Sequence, residues 1–244
     1  QVDKAIEILE TLPDAQLARR EFGGNFLGFS TIVKALAEAD RMEKAREVAN
    51  KISNECEKSK ALLTLSEVLI KAHRLDEALE IVETIPEGTK KSEVLFILSE
   101  ALAKAHLTDK ALEVAERILY EEGKSKALCV ISETLAIAGD IDKAIELIKI
   151  TSKAPVQEKY KALGAILDAS QKVEDLDRVA SHAKTLSRQT YRELLFMDLF
   201  RRFVKIGHID KALEVSRDTF DSSYLFKMSK KLAAIGKIKE AKEI

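Results

Sequence analysis

Apolar residues recur along the chain at steps of three and four positions, in segments that come in pairs. Between residues 124 and 138 they fall at Ala127, Leu128, Ile131, Leu135 and Ala138. After a short break the same spacing continues at Ala144, Ile145, Leu147 and Ile148. These steps place the apolar side chains on one face of an α-helix. The pattern predicts an all-α fold built from helix pairs.

A short signature of two charged residues and an alanine returns along the chain. It stands at Asp3-Lys4-Ala5, Glu43-Lys44-Ala45, Asp76-Glu77-Ala78, Asp109-Lys110-Ala111, Asp142-Lys143-Ala144, Asp210-Lys211-Ala212 and Lys239-Glu240-Ala241. From Ala45 to Ala144, each alanine of the signature lies 33 residues after the previous one. A fixed period of this size indicates tandem repeats. Each period has room for two helices.

The spacing also marks irregular places. The step of 68 residues from Ala144 to Ala212 leaves room for a weaker repeat around Leu176 to Val179, and the step of 40 from Ala5 to Ala45 requires an insertion. We predict one domain, 1–244, with about seven repeats. Its parts are a partial repeat at 1–12, an insertion at 13–25, and repeats at 26–57, 58–90, 91–123, 124–156, 157–189, 190–221 and 222–244.

The connection between the two helices of a repeat has its own pattern. Gly139, Gly207 and Gly236 stand where a helix C-terminus favours a left-handed residue, and His73 and His106 occupy the same place. Acidic residues are predicted in or beside the first turn of the second helix, where the helix dipole favours negative charge. They are Asp76, Asp109, Asp142, Asp177 and Asp210.

A two-helix unit cannot bury its apolar face alone, so neighbouring units are expected to stack into a superhelical solenoid. Small residues let paired helices approach closely. They recur at the signature alanines and at Ser66, Ser99, Ser132 and Ser229.

This pattern resembles the tetratricopeptide repeat family. One repeat supplies Leu128, Ile131, Ser132, Leu135, Gly139, Ala144 and Ile148 at that family's positions. The resemblance implies a right-handed α-solenoid of antiparallel helix pairs, whose first helices line a concave groove for extended peptides. The chain departs from the family in three ways. Aliphatic residues replace the aromatic ones, most repeats lack the closing proline, and the period is one residue short.

The resemblance also implies which residues face the groove. The central position of each first helix reads Lys34, Glu67, Glu100, Glu133, Asp168, Arg201 and Lys230. Neighbouring positions add Lys60, Lys71, Glu93, Phe96, Lys104, Lys126, Lys172, Met197 and Lys205. An acidic stripe of this kind could pair with a basic partner. Alternatively, Glu67, Glu100 and Glu133 pair with Lys71, Lys104 and Lys126 and form ordinary solvated surface.

Composition narrows the functional classes. The net charge of −1 gives no electrostatic reason to expect nucleic-acid or membrane-surface binding. No stretch reaches the roughly 20 apolar residues of a membrane span, and the beginning of the chain lacks a signal-peptide pattern. Cys56 and Cys129 are expected to be reduced thiols, which fits a cytoplasmic protein. Abundant Lys and Glu with scarce Cys and Met resemble proteins from hot environments.

No arrangement of residues favours catalysis. The four histidines, His73, His106, His182 and His208, lack metal-ligand spacing. The nucleotide-binding and nucleophile-elbow motifs are missing, and the pair Gly23-Gly24 is not followed by a lysine. We therefore expect no metal, no cofactor and no enzymatic activity.

The function that these observations favour is a scaffold or adaptor that binds a protein or peptide in the concave groove. One alternative is a sensor or oligomerisation segment of a larger regulator, with homo-oligomers forming through uncapped repeat ends. Another is single-stranded RNA binding like that of pentatricopeptide repeats, against which the Glu-rich groove argues. Phe22, Phe26 and Phe29, at and beside the insertion, are either a further contact or a seal on the first complete repeat.

Overall fold

The computed structural model describes residues 29–52, 54–151, 153–217, 222–234 and 236–242. Over these residues it contains helices and no strands, which confirms the predicted all-α class. In chain order the helices are α1 (Phe29–Glu38), α2 (Met42–Asn50), α3 (Glu55–Lys71), α4 (Leu75–Glu83), α5 (Thr89–Lys104), α6 (Thr108–Glu116), α7 (Glu121–Ile137), α8 (Ile141–Ile150), α9 (Val156–Ala169), α10 (Val173–Ala183), α11 (Gln189–Lys205), α12 (Ile209–Arg217), α13 (Ser222–Ala234) and α14 (Ile238–Ala241).

Each predicted repeat from residue 26 onward contains two of these helices, and the odd-numbered helices are the first of each pair. Within the described ranges, no helix is both long enough and apolar enough to cross a membrane. The predicted insertion at 13–25, with Phe22 and Phe26, lies outside the described residues.

The described residues group into two compact units that meet in sequence at Tyr120 and Glu121. In the first unit, α1 packs against α2 and α3, while α3 packs against α4 and α5, and α5 against α6. In the second unit the same order returns: α7 packs against α8 and α9, α9 against α10 and α11, and α11 against α12 and α13. Each first helix therefore contacts its own partner and the next first helix. The single-domain organisation stays a prediction.

The signature alanines explain how closely the helices of a pair approach. Ala45, Ala78, Ala111, Ala144 and Ala212 are all 0% exposed. In the weak repeat, Val179 fills the same place and is also 0% exposed. Because a methyl group takes up little space, the two helices of a pair can approach each other closely at this position. The Ser132 hydroxyl donates a hydrogen bond of 2.7 Å across this contact to the Ala144 carbonyl.

The turn between the helices of a pair has one backbone geometry in several repeats. Gly139, Gly207 and Gly236 have positive φ, and so do His73 at 58° and His106 at 60°, as their shared position predicted. Asp40 joins them at 58°. At His106 the N–H bonds to the Ala103 carbonyl, and the next N–H bonds to the Leu102 carbonyl. This pair of hydrogen bonds is the Schellman motif, which provides donors for the last carbonyl groups of the helix.

The weak repeat ends its first helix differently. Ser170 continues in extended backbone after α9, and its buried hydroxyl donates 2.7 Å to the Asp175 carboxylate. No left-handed turn separates α9 from α10. Relative to the signature residues, α10 therefore begins earlier than the second helices of the other repeats do, and its first-turn acids are Glu174 and Asp175. Asp177 therefore stands just after the first turn of α10, beside it and not within it. The other four, Asp76, Asp109, Asp142 and Asp210, lie within the first turn of their helices.

Ion pairs join residues of neighbouring helix pairs, usually 34 positions apart. In the first unit Lys110 reaches Asp76 at 2.7 Å and Arg74 reaches Asp40 at 3.2 Å. In the second unit Arg178 reaches Asp142 at 2.8 Å and Lys211 reaches Asp177 at 3.1 Å. We call these contacts the stacking ion pairs. They give the signature's charged residues a role between repeats as well as within a helix.

Candidate functional site

The second unit has an open groove on its first helices, with a volume of about 590 Å³. Three consecutive first helices, α7, α9 and α11, supply its walls, and they are adjacent because α9 packs against both others. The lining side chains are those of Glu133, Ile137, Tyr160, Lys161, Ala165, Leu167, Asp168, Ala169 and Asp198, and Gly164 contributes backbone alone. We call this the acidic groove.

Apolar and aromatic surface forms part of the groove. The Tyr160 ring lies 5.2 Å from the Tyr191 ring, centroid to centroid, at a tilt of 37°. Ile137 is 70% exposed, which is unusual for a large aliphatic side chain on a regular helix. Gly164, in the middle of α9, keeps the space above it open, since a Cβ there would meet no atom within 4 Å. The groove therefore offers flat, partly apolar contact area.

Carboxylates surround this apolar surface. Glu133 and Asp168 form no ion pair with any residue in the described ranges. Asp198 pairs with Arg201 at 2.6 Å. Partial burial raises the pKa of the Tyr160 hydroxyl, and the nearby charges of Asp198 and Asp168 raise it further. Burial is the larger of these causes, and the two carboxylates act in the same direction because negative charge opposes the ionisation of a phenol.

Beyond the acidic groove, the charge changes sign. A smaller depression of about 220 Å³ is lined by Leu167, Asp168, Asp198, Arg201, Arg202 and Lys205. The Arg202 guanidinium is already occupied, because it donates to the Ser170 carbonyl at 2.6 Å. Arg201 and Lys205 are exposed. On α13, Lys230 lies 4.5 Å from the centroid of the Phe226 ring, which is 61% exposed.

The predicted groove residues of the first unit are mostly engaged with their own helices. Lys60 pairs with Glu57 at 2.7 Å and Glu93 with Lys90 at 2.8 Å, while Lys34 lies 3.8 Å from Glu38. Phe96 is half-buried and has partners of its own.

The three predicted neutralising pairs have different outcomes. Glu100 does pair with Lys104, at 2.7 Å. Glu67 and Lys71 form no ion pair with each other, although both are exposed. Glu133 forms none with Lys126, which has other partners. Of the three predicted pairs, only Glu100 with Lys104 is present among the described residues, and both interpretations of the stripe, as a binding surface and as solvated surface, stay predictions.

Other predicted residues contribute less to an accessible surface. Met197 is 5% exposed and packs inside α11's buried face. Lys172 lies in the extended segment before α10, where its backbone N–H bonds to Ser170. Phe29 begins α1, and its side chain lies outside the described residues.

Outside the groove, burial shifts the pKa values of His182 and Cys129. No cluster of His, Cys, Asp and Glu that could hold a metal occurs among the described residues. Burial lowers the pKa of His182, helped by the positive charges of Lys149 and Arg178. Burial raises the pKa of the Cys129 thiol to about 11, so that thiol stays protonated near neutral pH.

The sequence pattern found part of this site. It assigned Glu133, Asp168, Arg201 and Lys205 to one face, but it missed Tyr160, Gly164, Asp198 and Ile137. Ile137 follows Glu133 by one helical turn, just as Lys71 follows Glu67. The spacing of the predicted groove positions could therefore have identified Ile137 as a groove residue. Tyr160 and Gly164 belong to the weak repeat, which is shifted by two residues from the period of 33. The shift makes it difficult to assign equivalent positions there from the sequence.

Comparison with known proteins adds little to this description. No protein-family model and no curated protein matches the chain. Among solved structures it is similar to the crystal structure of Ton1535 from Thermococcus onnurineus NA1, with 14% sequence identity, 86% of this chain covered, 73% of that chain covered and a TM-score of 0.32. A likeness of this size carries no functional argument, so a proposal must stand on the groove itself.

Proposed function

We propose that the chain is a tetratricopeptide-like solenoid that binds a protein or peptide segment, without catalysis, as a scaffold or adaptor. The observation that carries this proposal is the acidic groove, which is open, spans three first helices and combines the Tyr160 side chain with two carboxylates, Glu133 and Asp168, that form no ion pair within the described residues. A groove of this kind can bury apolar side chains while its polar rim fixes their orientation.

The arrangement of the groove supports an extended ligand. Adjacent first helices lie roughly 8–10 Å apart at van der Waals contact. A segment crossing α7, α9 and α11 therefore meets a new set of side chains about every three residues of extended chain. The exposed Ile137 and the Tyr160 ring supply apolar contact at two successive steps.

The charge of the groove supports a partner with basic residues. Glu133 and Asp168 form no ion pair with described neighbours, and both line the groove beside Tyr160. A Lys or Arg side chain from the partner would pair with these carboxylates and would accelerate encounter at low salt.

The experiment that tests the proposal selects binders from a phage-displayed library of random short peptides and then measures them against two variants. Gly164→Trp fills the open space above α9 without an initial clash, because a Cβ there meets nothing within 4 Å. Glu174→Trp adds the same bulk to the exposed first turn of α10, outside the groove. We expect selected peptides to lose affinity for Gly164→Trp and to keep it for Glu174→Trp.

Circular dichroism must first establish that both variants retain their helix content. If no peptide is enriched over the background, or if the enriched peptides bind Gly164→Trp as well as the unmodified chain, the groove is not the binding surface and the proposal is wrong.

A further inference from the structure

We infer that the groove of the second unit selects an extended segment with divided charge, basic at one end and acidic at the other. The inference rests on the proposed function, since it concerns which peptide that groove binds. Its basis is the change of sign along consecutive first helices, from carboxylates on α7 and α9 to cations on α11 and α13.

The end formed by α7 and α9 suits a Lys or Arg side chain. Glu133 and Asp168 form no ion pair within the described residues, and the Tyr160 side chain lines the same groove. A guanidinium can stack on a tyrosine face while it donates to a carboxylate, and it is less strongly hydrated than an ammonium group. Gly164 leaves room for such a planar group beside the ring. This end favours arginine.

The end formed by α11 and α13 suits a carboxylate. Lys205 is exposed on α11, beside the smaller depression and one helical turn after Arg201, and it forms no ion pair within the described residues. Lys230 lies on α13, which packs against α11, and its ammonium group lies 4.5 Å from the centroid of the Phe226 ring. Arg202 does not belong to this set, because carbonyls of the α9 end hold it.

The boundary between the two ends is a neutralised pair. Asp198 and Arg201 lie 2.6 Å apart, so the acid has its own cation within the groove. A ligand residue above this pair gains little from charge of either sign. The central residues of the bound segment are therefore expected to be uncharged.

The helix spacing sets the length of the segment. Three steps between adjacent first helices cover about 27 Å, which an extended chain crosses in about eight residues. The centres of the two charged ends lie two steps apart, or about five to six residues. The structure thus fits a segment of about nine residues with arginines at one terminus and glutamates at the other.

Two synthetic peptides with equal composition test this inference. One has paired arginines and paired glutamates at opposite ends of an uncharged spacer, and the other has the same residues with the charges mixed. Fluorescence anisotropy with the full chain should show the divided peptide binding about tenfold more tightly than the mixed one, with the difference shrinking as NaCl is added.

Charge reversal supplies the matched comparison. The double variant Glu133→Lys, Asp168→Lys should lose the divided peptide and should bind a peptide with glutamates at both ends better than the unmodified chain does. The control, Glu113→Lys with Glu174→Lys, makes the same change in net charge at exposed positions of α6 and α10. It should keep the preference for the divided peptide.

The outcomes separate the inference from the proposed function. Equal affinity for both peptides, with both lost in Gly164→Trp, would mean that the groove binds peptides and that the charge division is wrong. Equal loss of the divided peptide in the reversal variant and in its control would also overturn the inference, since net charge alone would then explain binding. Failure of every peptide, including those selected by display, would overturn the proposed function.

Discussion

His106 holds its backbone at φ 60°, a conformation that ordinary residues adopt at a cost. Its Cβ approaches the following carbonyl oxygen there, whereas Gly139 and Gly207 occupy the same turn without that contact. The side chain of His106 is exposed and has no resolved role in packing. The left-handed turn is therefore required by the helix connection, and the histidine is tolerated at it.

Replacing this residue tests the conformational cost. We expect His106→Gly to stabilise the chain by about 0.5–1 kcal/mol, the net of relieved left-handed strain and the greater backbone entropy of glycine in the unfolded state. Guanidinium unfolding monitored by circular dichroism measures the difference. Gly139→Ala, at φ 90°, should shift the midpoint in the opposite direction, and stabilisation by that variant would contradict the argument.

At the scale of the helix, the stacking ion pairs link neighbouring helix pairs within each unit. Lys110 and Asp76 lie 2.7 Å apart, and both side chains are largely exposed at 49% and 77%. Solvent and salt screen such a pair, so one contact contributes little alone. The same two signature positions pair again within the second unit, as Lys211 and Asp177.

A double-mutant cycle isolates one stacking pair. We expect Asp76→Asn, Lys110→Gln and their combination to give a coupling free energy of about 0.2–1 kcal/mol, typical of exposed pairs. Raising NaCl from low concentration to about 1 M, where the screening length is about 3 Å, should remove most of it. A coupling that is zero at low salt would show that the contact contributes nothing to stacking.

The helices themselves could be predicted from the sequence, because the three- and four-residue spacing and the buried alanines such as Ala78 and Ala144 depend on local periodicity alone. The stacking pairs could have been found too, since Asp76 and Lys110 occupy fixed places in a period. Other features could not. The tyrosine pair needs the tilt of α9 against α11, and the early start of α10 depends on the Ser170 to Asp175 bond.

For the whole molecule, the pKa values of three carboxylates and one histidine are lowered in the folded chain, which predicts sensitivity to acid. Hydrogen bonds from Lys51, Arg178 and Lys149 lower the pKa values of Glu47, Asp142 and Glu146, and burial lowers that of His182. Each group binds protons more readily when the chain is unfolded. Stability must therefore rise with pH across each titration.

Acidification should lower stability in two ranges. The His182 contribution is complete above its unfolded pKa of about 6.5 and is lost as the pH falls below it, while the carboxylate contributions are complete above about pH 4.5 and are lost below. Guanidinium midpoints measured between about pH 8 and pH 3 follow both ranges. His182→Gln should flatten the upper range alone, and an unchanged profile in that variant would remove His182 as its source.

The stacking ion pairs have one more consequence, for how such a chain can change its length. In the first unit, Asp76 pairs forward with Lys110 and Arg74 pairs backward with Asp40. The repeat that carries both Asp76 and Arg74 has Glu77 in the place of the lysine and a histidine in the place of the aspartate. A duplicated copy of that repeat would therefore set an aspartate against a glutamate at the new junction and would leave the arginine without its acid. Each repeat is thus matched in charge to its own two neighbours, and a genetic duplication at this period begins with a mismatched junction.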